Sequence, residues 1–280
     1  MQMKLECMPC FVRQVLMELD GSDITIEGKE KALRASLRRL SEMDMTLPPV
    51  GVSLILHRLL REWGVGEDPY RELKMSSTSK ALKILPDLER MLDENGDRLK
   101  MAAMMAIAGN VIDYGAANLL SLERTLEDAV HGGMAVDDFE DFGRELLKAD
   151  TLSYHLDNSG EVVLDGLFIR EIIRERPDLR IRAFVKNSPL LNDVTLKDAV
   201  DGGLGAVDNV ELIELPHEGW VSEDDIDSDE AEIIIAKGQG NYESLSESGR
   251  KNLFFLLVVK CDVVSRELGA DIGEMIFKRS

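Results

Sequence analysis

The chain's 280 residues carry 53 acidic against 33 basic side chains, a formal charge of −20, which argues against a surface for nucleic acid or anionic membrane because those need clustered Lys and Arg. At 44% hydrophobic residues it is a globular chain, long enough to bury a sizeable core. Its longest apolar run, LFFLLVV at 253–259, is far short of the roughly 20 residues that span a bilayer, and MQMKLECMPC lacks an apolar signal core; a cytoplasmic protein without a membrane partner is expected.

The first half reads as helices. Apolar residues recur at i, i+3, i+4 spacing in FVRQVLMEL, LRASLRRLSEM, VGVSLILHRLLREWG, SKALKILPDLERMLDE and DRLKMAAMMAIAGNVID, followed by SLERTLEDAV and VDDFEDFGRELLKA. Pro48 and Pro49 mark a break before the third of these. The second half changes rhythm. TLSYHL, LRIRAFVK, VELIEL, AEIIIAK and LFFLLVVK are short and rich in β-branched or large apolar residues, with helical patterns EVVLDGLFIREIIRERP and TLKDAVDGG between the earlier ones. Such alternation implies α/β architecture: a mostly parallel sheet covered on both faces, a three-layer Rossmann-like sandwich. The expected division is a mainly α-helical subdomain over 1–148 and an α/β/α subdomain over 149–280. Residues 218–232 hold eight acids and no base and read as a solvated loop.

Chemistry-bearing residues gather after the strand-like segments, where open α/β sheets place ligands. Asp157 and Asn158 follow TLSYHL and precede a helical pattern. One such residue suffices for a helix cap; two in tandem also suit a hard divalent ion, which takes carboxylate and amide oxygens. Asn192 and Asp193 follow LRIRAFVK, and Asp193 either caps the next helix or meets Asp157 at a shared cation. Lys237 ends an apolar run and opens KGQGN, where Gly238 and Gly240 allow close backbone approach and Asn241 adds an amide, an arrangement suited to phosphate. The order is neither a P-loop nor a dinucleotide fingerprint. Asn110 and Asp113 share one helix face at the end of a nearly all-apolar segment, and read as a satisfied core network or as part of the site. Cys7 and Cys10 form CMPC at a helix start, where the dipole favours thiolate, and Cys261 follows the last strand. They read as structural thiols or as a zinc or redox site.

With those residues in view, the chain resembles the damage-control phosphatase family, most closely its short archaeal-type branch. The resemblance runs through CMPC, GNVIDYG, DNSGEVVLD, VKNSPLLNDVT, AKGQGNYESL and VKCDVV, in that order along nearly the whole chain. It implies a helical subdomain beside an α/β/α sandwich, and hydrolysis of small phosphorylated metabolites such as sugar phosphates with a divalent metal (Mn²⁺, Mg²⁺, Co²⁺ or Ni²⁺). By this likeness Asp157, Asn158 and Asp193 are metal ligands, Asp157, Asp193 and Lys237 serve catalysis, and Lys237, Gly238, Gly240, Asn241, Asn110 and Asp113 bind substrate. The Arg-Thr-x-Lys block of longer relatives is absent, so their substrate range is not implied. The nucleophile is either a metal-bound water or Asp157 itself; Ser159 stands where the haloacid-dehalogenase arrangement has a second Asp, which disfavours the aspartyl route. Two other function classes stay open: an S-adenosylmethionine-dependent carboxyl methyltransferase, and a non-enzymatic protein that uses its cysteines for zinc or redox sensing.

Overall fold

The structure is a computed structural model that describes residues 1–109 and 133–280. Asn110 and Asp113 therefore lie outside the described residues, as does SLERTLEDAV.

Three helices, α1 (Cys7–Asp20), α2 (Ile26–Ser41) and α3 (Pro49–Glu62), form a bundle with its own core of Phe11, Val15, Leu19, Val52, Leu56 and Leu60. Thr25 caps α2 by accepting from Gly28 N at 3.2 Å, and Pro49 begins α3, where a missing N–H costs nothing. Two further helices follow, the long α4 (Arg71–Glu94) and the shorter α5 (Arg98–Ala108). Every residue of α5 from Met101 to Ala108 is buried, as its all-apolar sequence requires.

Among the described residues the sheet has seven strands in the order β1-β7-β6-β5-β2-β3-β4. These are β1 (Val136–Asp137), β2 (Thr151–His155), β3 (Arg180–Val185), β4 (Val210–Glu214), β5 (Ile233–Lys237), β6 (Leu253–Val258) and β7 (Met275–Arg279). Neighbours are parallel except β6 and β7. Between them run α6 (Phe139–Leu146), α7 (Val162–Glu175), α8 (Leu196–Asp201), α9 (Glu223–Asp227), α10 (Gly238–Leu245) and α11 (Asp262–Leu268). Period-2 alternation splits the sheet into two faces. Leu152, Tyr154, Ile233, Ile235, Phe254 and Leu256 join α4, α5 and α7 in one core. Ile234, Ala236, Phe255 and Leu257 join α10 and α11 in the other. This is the α/β/α sandwich with a helical N-terminal part that the periodicity implied. Among the described residues no helix is long and apolar enough to cross a membrane.

The acid-rich segment 218–232 departs from the solvated-loop expectation. Its apolar residues are interleaved with the acids and are buried: Val221, Ile226 and Ala231 join the second sheet-face core. Ser222 and Asp225 form a capping box that starts α9. Arg58 and Arg61 of α3 each bond Glu218 at 2.9 Å, and Trp220 packs so closely on Gly51 that a Cβ there would meet its ring at 3.0 Å.

Candidate active site

The crevice lies beyond the carboxyl ends of β2, β3, β5 and β6, facing α1 and α3, and encloses about 480 Å³. The backbone itself brings the two Asp/Asn pairs together. Val194 N bonds Asp157 O at 2.9 Å, Ser159 N bonds Asn192 O at 3.0 Å, and Asn158 and Asp193 form an antiparallel bridge. Lys186, just past β3, is tied in by its N–H to Val194 O at 2.9 Å. Leu191 in the same loop takes φ +49, a left-handed conformation that a branched side chain rarely adopts. Strain of this kind gathers at functional sites.

The electrostatics of the pair are unbalanced. Burial, then the Glu161 and Asp193 carboxylates, push Asp157 up to about 8 against the pull of Lys260 and Lys186. Asp193 is also raised, by burial first, although the Lys186 ammonium is 3.7 Å from its carboxylate. Two half-buried acids that cannot both ionise comfortably make a place for a cation. Asn158 gives its amide nitrogen to Asp157 Oδ2 at 2.8 Å and Glu161 Oε1 at 2.6 Å, which leaves its carbonyl oxygen as the atom for a cation. Two carboxylates, one amide oxygen and water suit Mg²⁺ or Mn²⁺, which are held by few protein ligands. Among the described residues no three His, Cys, Asp or Glu side chains are grouped to hold a metal ion.

Gly238 supplies the close approach. It sits at φ +77 where β5 turns into α10, and a Cβ there would stand 1.8 Å from Asp157 Oδ2. The Asp157 carboxylate is thus seated against the start of α10, the end of a helix that favours anions. The KGQGN segment, read from sequence as a Gly-rich turn, is the first turn of this helix. Gly240 answers a different need: a Cβ there would be 3.2 Å from Val50 on α3. Asn241 lines the crevice, but its amide nitrogen is bonded to Lys237 O at 2.7 Å, closing the β5–α10 turn.

Lys237 does not line the crevice. By strand alternation it falls on the face of Ile233 and Ile235, and its ammonium is buried against Ala106 O at 2.8 Å, Asp165 Oδ1 at 2.7 Å and Glu161 Oε2 at 3.2 Å. Burial alone would lower its pKa, but Asp165 and Glu161 outweigh that and hold it well above the usual lysine value. Tyr154 donates to the same Asp165 oxygen at 2.7 Å. The lysines that do line the crevice are Lys186 and Lys260. Each ends a strand-like segment in the sequence, VK before NS and VK before CD, the signal that singled out Lys237. Glu161 was equally legible, three residues past Asn158 on the coming helix.

Cys7, Cys10 and Cys261 all border the crevice. Burial raises the Cys7 thiol, and Glu243, Cys261 and Cys10 add to that, so the helix start does not make it a thiolate. Cys261 accepts from Gln239 Nε2 at 3.5 Å.

Comparison with known proteins agrees with this architecture. The family model described as "Damage-control phosphatase ARMT1-like domain" matches residues 3–276. A damage-control phosphatase of Pyrococcus horikoshii is 31% identical, over 100% of this chain and 99% of its own length. An uncharacterised protein of Methanocaldococcus jannaschii is 30% identical, over 98% of this chain and 94% of its own. A crystal structure of a P. horikoshii protein described as of the duf89 family superposes with a TM-score of 0.87 at 28% identity, covering 100% of this chain and 99% of that one. The chain belongs to the damage-control phosphatase ARMT1-like domain family.

Proposed function

We propose that the protein is a divalent-metal-dependent phosphatase that hydrolyses phosphomonoesters of small metabolites. The observation that carries this reading is the Asp157–Asp193 pair, laced together by main-chain bonds in a crevice that also holds Lys186 and Lys260. The names of the relatives support phosphate-ester hydrolysis and give no support to methyl transfer. Asp157, Asp193 and the Asn158 carbonyl would hold the ion. Bound there, it would offset phosphate charge and activate a water or the Asp157 carboxylate as nucleophile. Lys186 and Lys260 are the ammonium groups within the crevice, and they neutralise and orient the phosphate oxygens. The helix start at Gly238 holds Asp157 in place for either role.

The test is phosphate release by metal-stripped protein from a panel of phosphorylated metabolites, with Mg²⁺, Mn²⁺, Co²⁺ or Ni²⁺ added back. Release restored by metal and lost in Asp157→Ala and Asp193→Ala is the expected result. A folded protein that releases no phosphate with any of these ions would refute the reading.

A further inference from the structure

Lys237 and Glu161 lie behind the carboxylate pair, and a count of donors limits what each can do. An ammonium has three N–H groups. Those of Lys237 meet Ala106 O, Asp165 Oδ1 and Glu161 Oε2, and the residue is 1% exposed. No N–H remains for a phosphate. A primary amide has two N–H donors. Both of those on Asn158 are engaged, by Asp157 Oδ2 and Glu161 Oε1. Turning the amide over would set its oxygen against two carboxylates, so the present orientation is the one the carboxylates enforce.

We propose that Lys237 and Glu161 are positioning residues for the metal: Lys237 anchors the Glu161 carboxylate, and Glu161 locks the Asn158 amide with its carbonyl oxygen available to the ion. This rests on the metal reading above and replaces substrate contact as the role of Lys237. Partners behind a ligand that fix its orientation typically change metal affinity 10–100-fold when removed.

The experiment is Mn²⁺ titration calorimetry on the full chain, with the Co²⁺ absorption spectrum as a report on coordination geometry. The variants are Glu161→Gln and Lys237→Met, with Tyr154→Phe as a control that touches Asp165 but not the path to Asn158. Glu161→Gln and Lys237→Met should each weaken Mn²⁺ binding by about 10–100-fold and alter the Co²⁺ bands, while KM for the phosphate ester at saturating metal stays near wild type. Tyr154→Phe should lower Tm and leave both metal readouts unchanged. Wild-type Mn²⁺ affinity in Glu161→Gln would overturn the inference, as would a raised KM with unchanged metal affinity in Lys237→Met. If Lys237→Met does not fold, the near-isosteric Glu161→Gln decides alone. A wild type that binds neither ion would overturn the metal reading and this inference with it. A wild type that binds, with variants that bind equally well, would overturn the inference alone.

Discussion

Two groups of acids sit within a few residues of each other and solve opposite problems. Behind the crevice, Asp165 and Glu161 share the Lys237 ammonium, and Tyr154 adds a hydrogen bond. Burial still lifts Asp165, to about 6, against the pull of Lys237, so it stays ionised at neutral pH. In the crevice, Asp157 and Asp193 face Lys186 and Lys260 at longer range, and Asp157 reaches about 8. The first group bonds its ammonium directly, at 2.7 and 3.2 Å; in the second, the Lys186 ammonium stands 3.7 Å from Asp193. Buried acids bonded directly to an ammonium support a fold, whereas acids held together by backbone with their counter-charges at longer range invite a ligand.

The contrast is broken most severely by deleting the crevice acids. Asp157→Ala should reduce metal-dependent phosphate release by about 10³-fold or more, yet leave the metal-free Tm unchanged or higher, because an ill-placed carboxylate has gone. Deletion behind the crevice should do the reverse. Lys237→Met strands two buried carboxylates and should cost about 3–5 kcal/mol in urea unfolding, the usual penalty for breaking a buried pair. Gly238→Ala touches both sides of the contrast. The left-handed backbone costs a residue with a Cβ about 1–2 kcal/mol, and that Cβ would displace Asp157 and lower turnover by about 10²-fold.

The smallest effect is a pH dependence. The folded-state pKa of Asp157, about 8, lies above its ordinary 3.8, so this group favours folding below about pH 4 and loses that contribution as pH rises through about 8. A cation binds the ionised form and removes the penalty. The rise in Tm on adding Mn²⁺ should therefore be larger at pH 8.5 than at pH 6, measured by differential scanning calorimetry. An equal rise at both values would mean that Asp157 is already ionised without metal.

Much of this was legible from periodicity. Strands β2 to β6 stand where short apolar runs ended in polar turns, and the Asp157–Asn158 and Asn192–Asp193 pairs meet because those runs became the neighbouring strands β2 and β3. β7 was not legible: Met275–Arg279 has only three apolar residues before two bases, and it pairs antiparallel beside a strand from earlier in the chain. α10 was hidden by its glycines, which signal a turn locally but here serve Asp157 and α3. The direction of Lys237 was readable in IIIAK, since alternation alone sends it to the Ile233 face; its charge drew attention ahead of its parity. Lys186 and Lys260 show the converse, strand-end lysines whose reach into the crevice depends on how β3 and β6 are placed.

The main-chain bonds between 157–159 and 192–194 separate two jobs that many sites combine. The distance between the acidic pair is set by backbone pairing, while Leu190 and Leu191, in the stretch that arrives at that pairing, form part of the crevice wall. Side-chain substitutions at Leu190 and Leu191 can therefore reshape the crevice wall while the main-chain bond from Asp193 N to Leu190 O is kept. In engineering terms, the spacing of the acids and the shape of the wall beside them are written in different atoms of one loop, the first in main chain and the second in side chains.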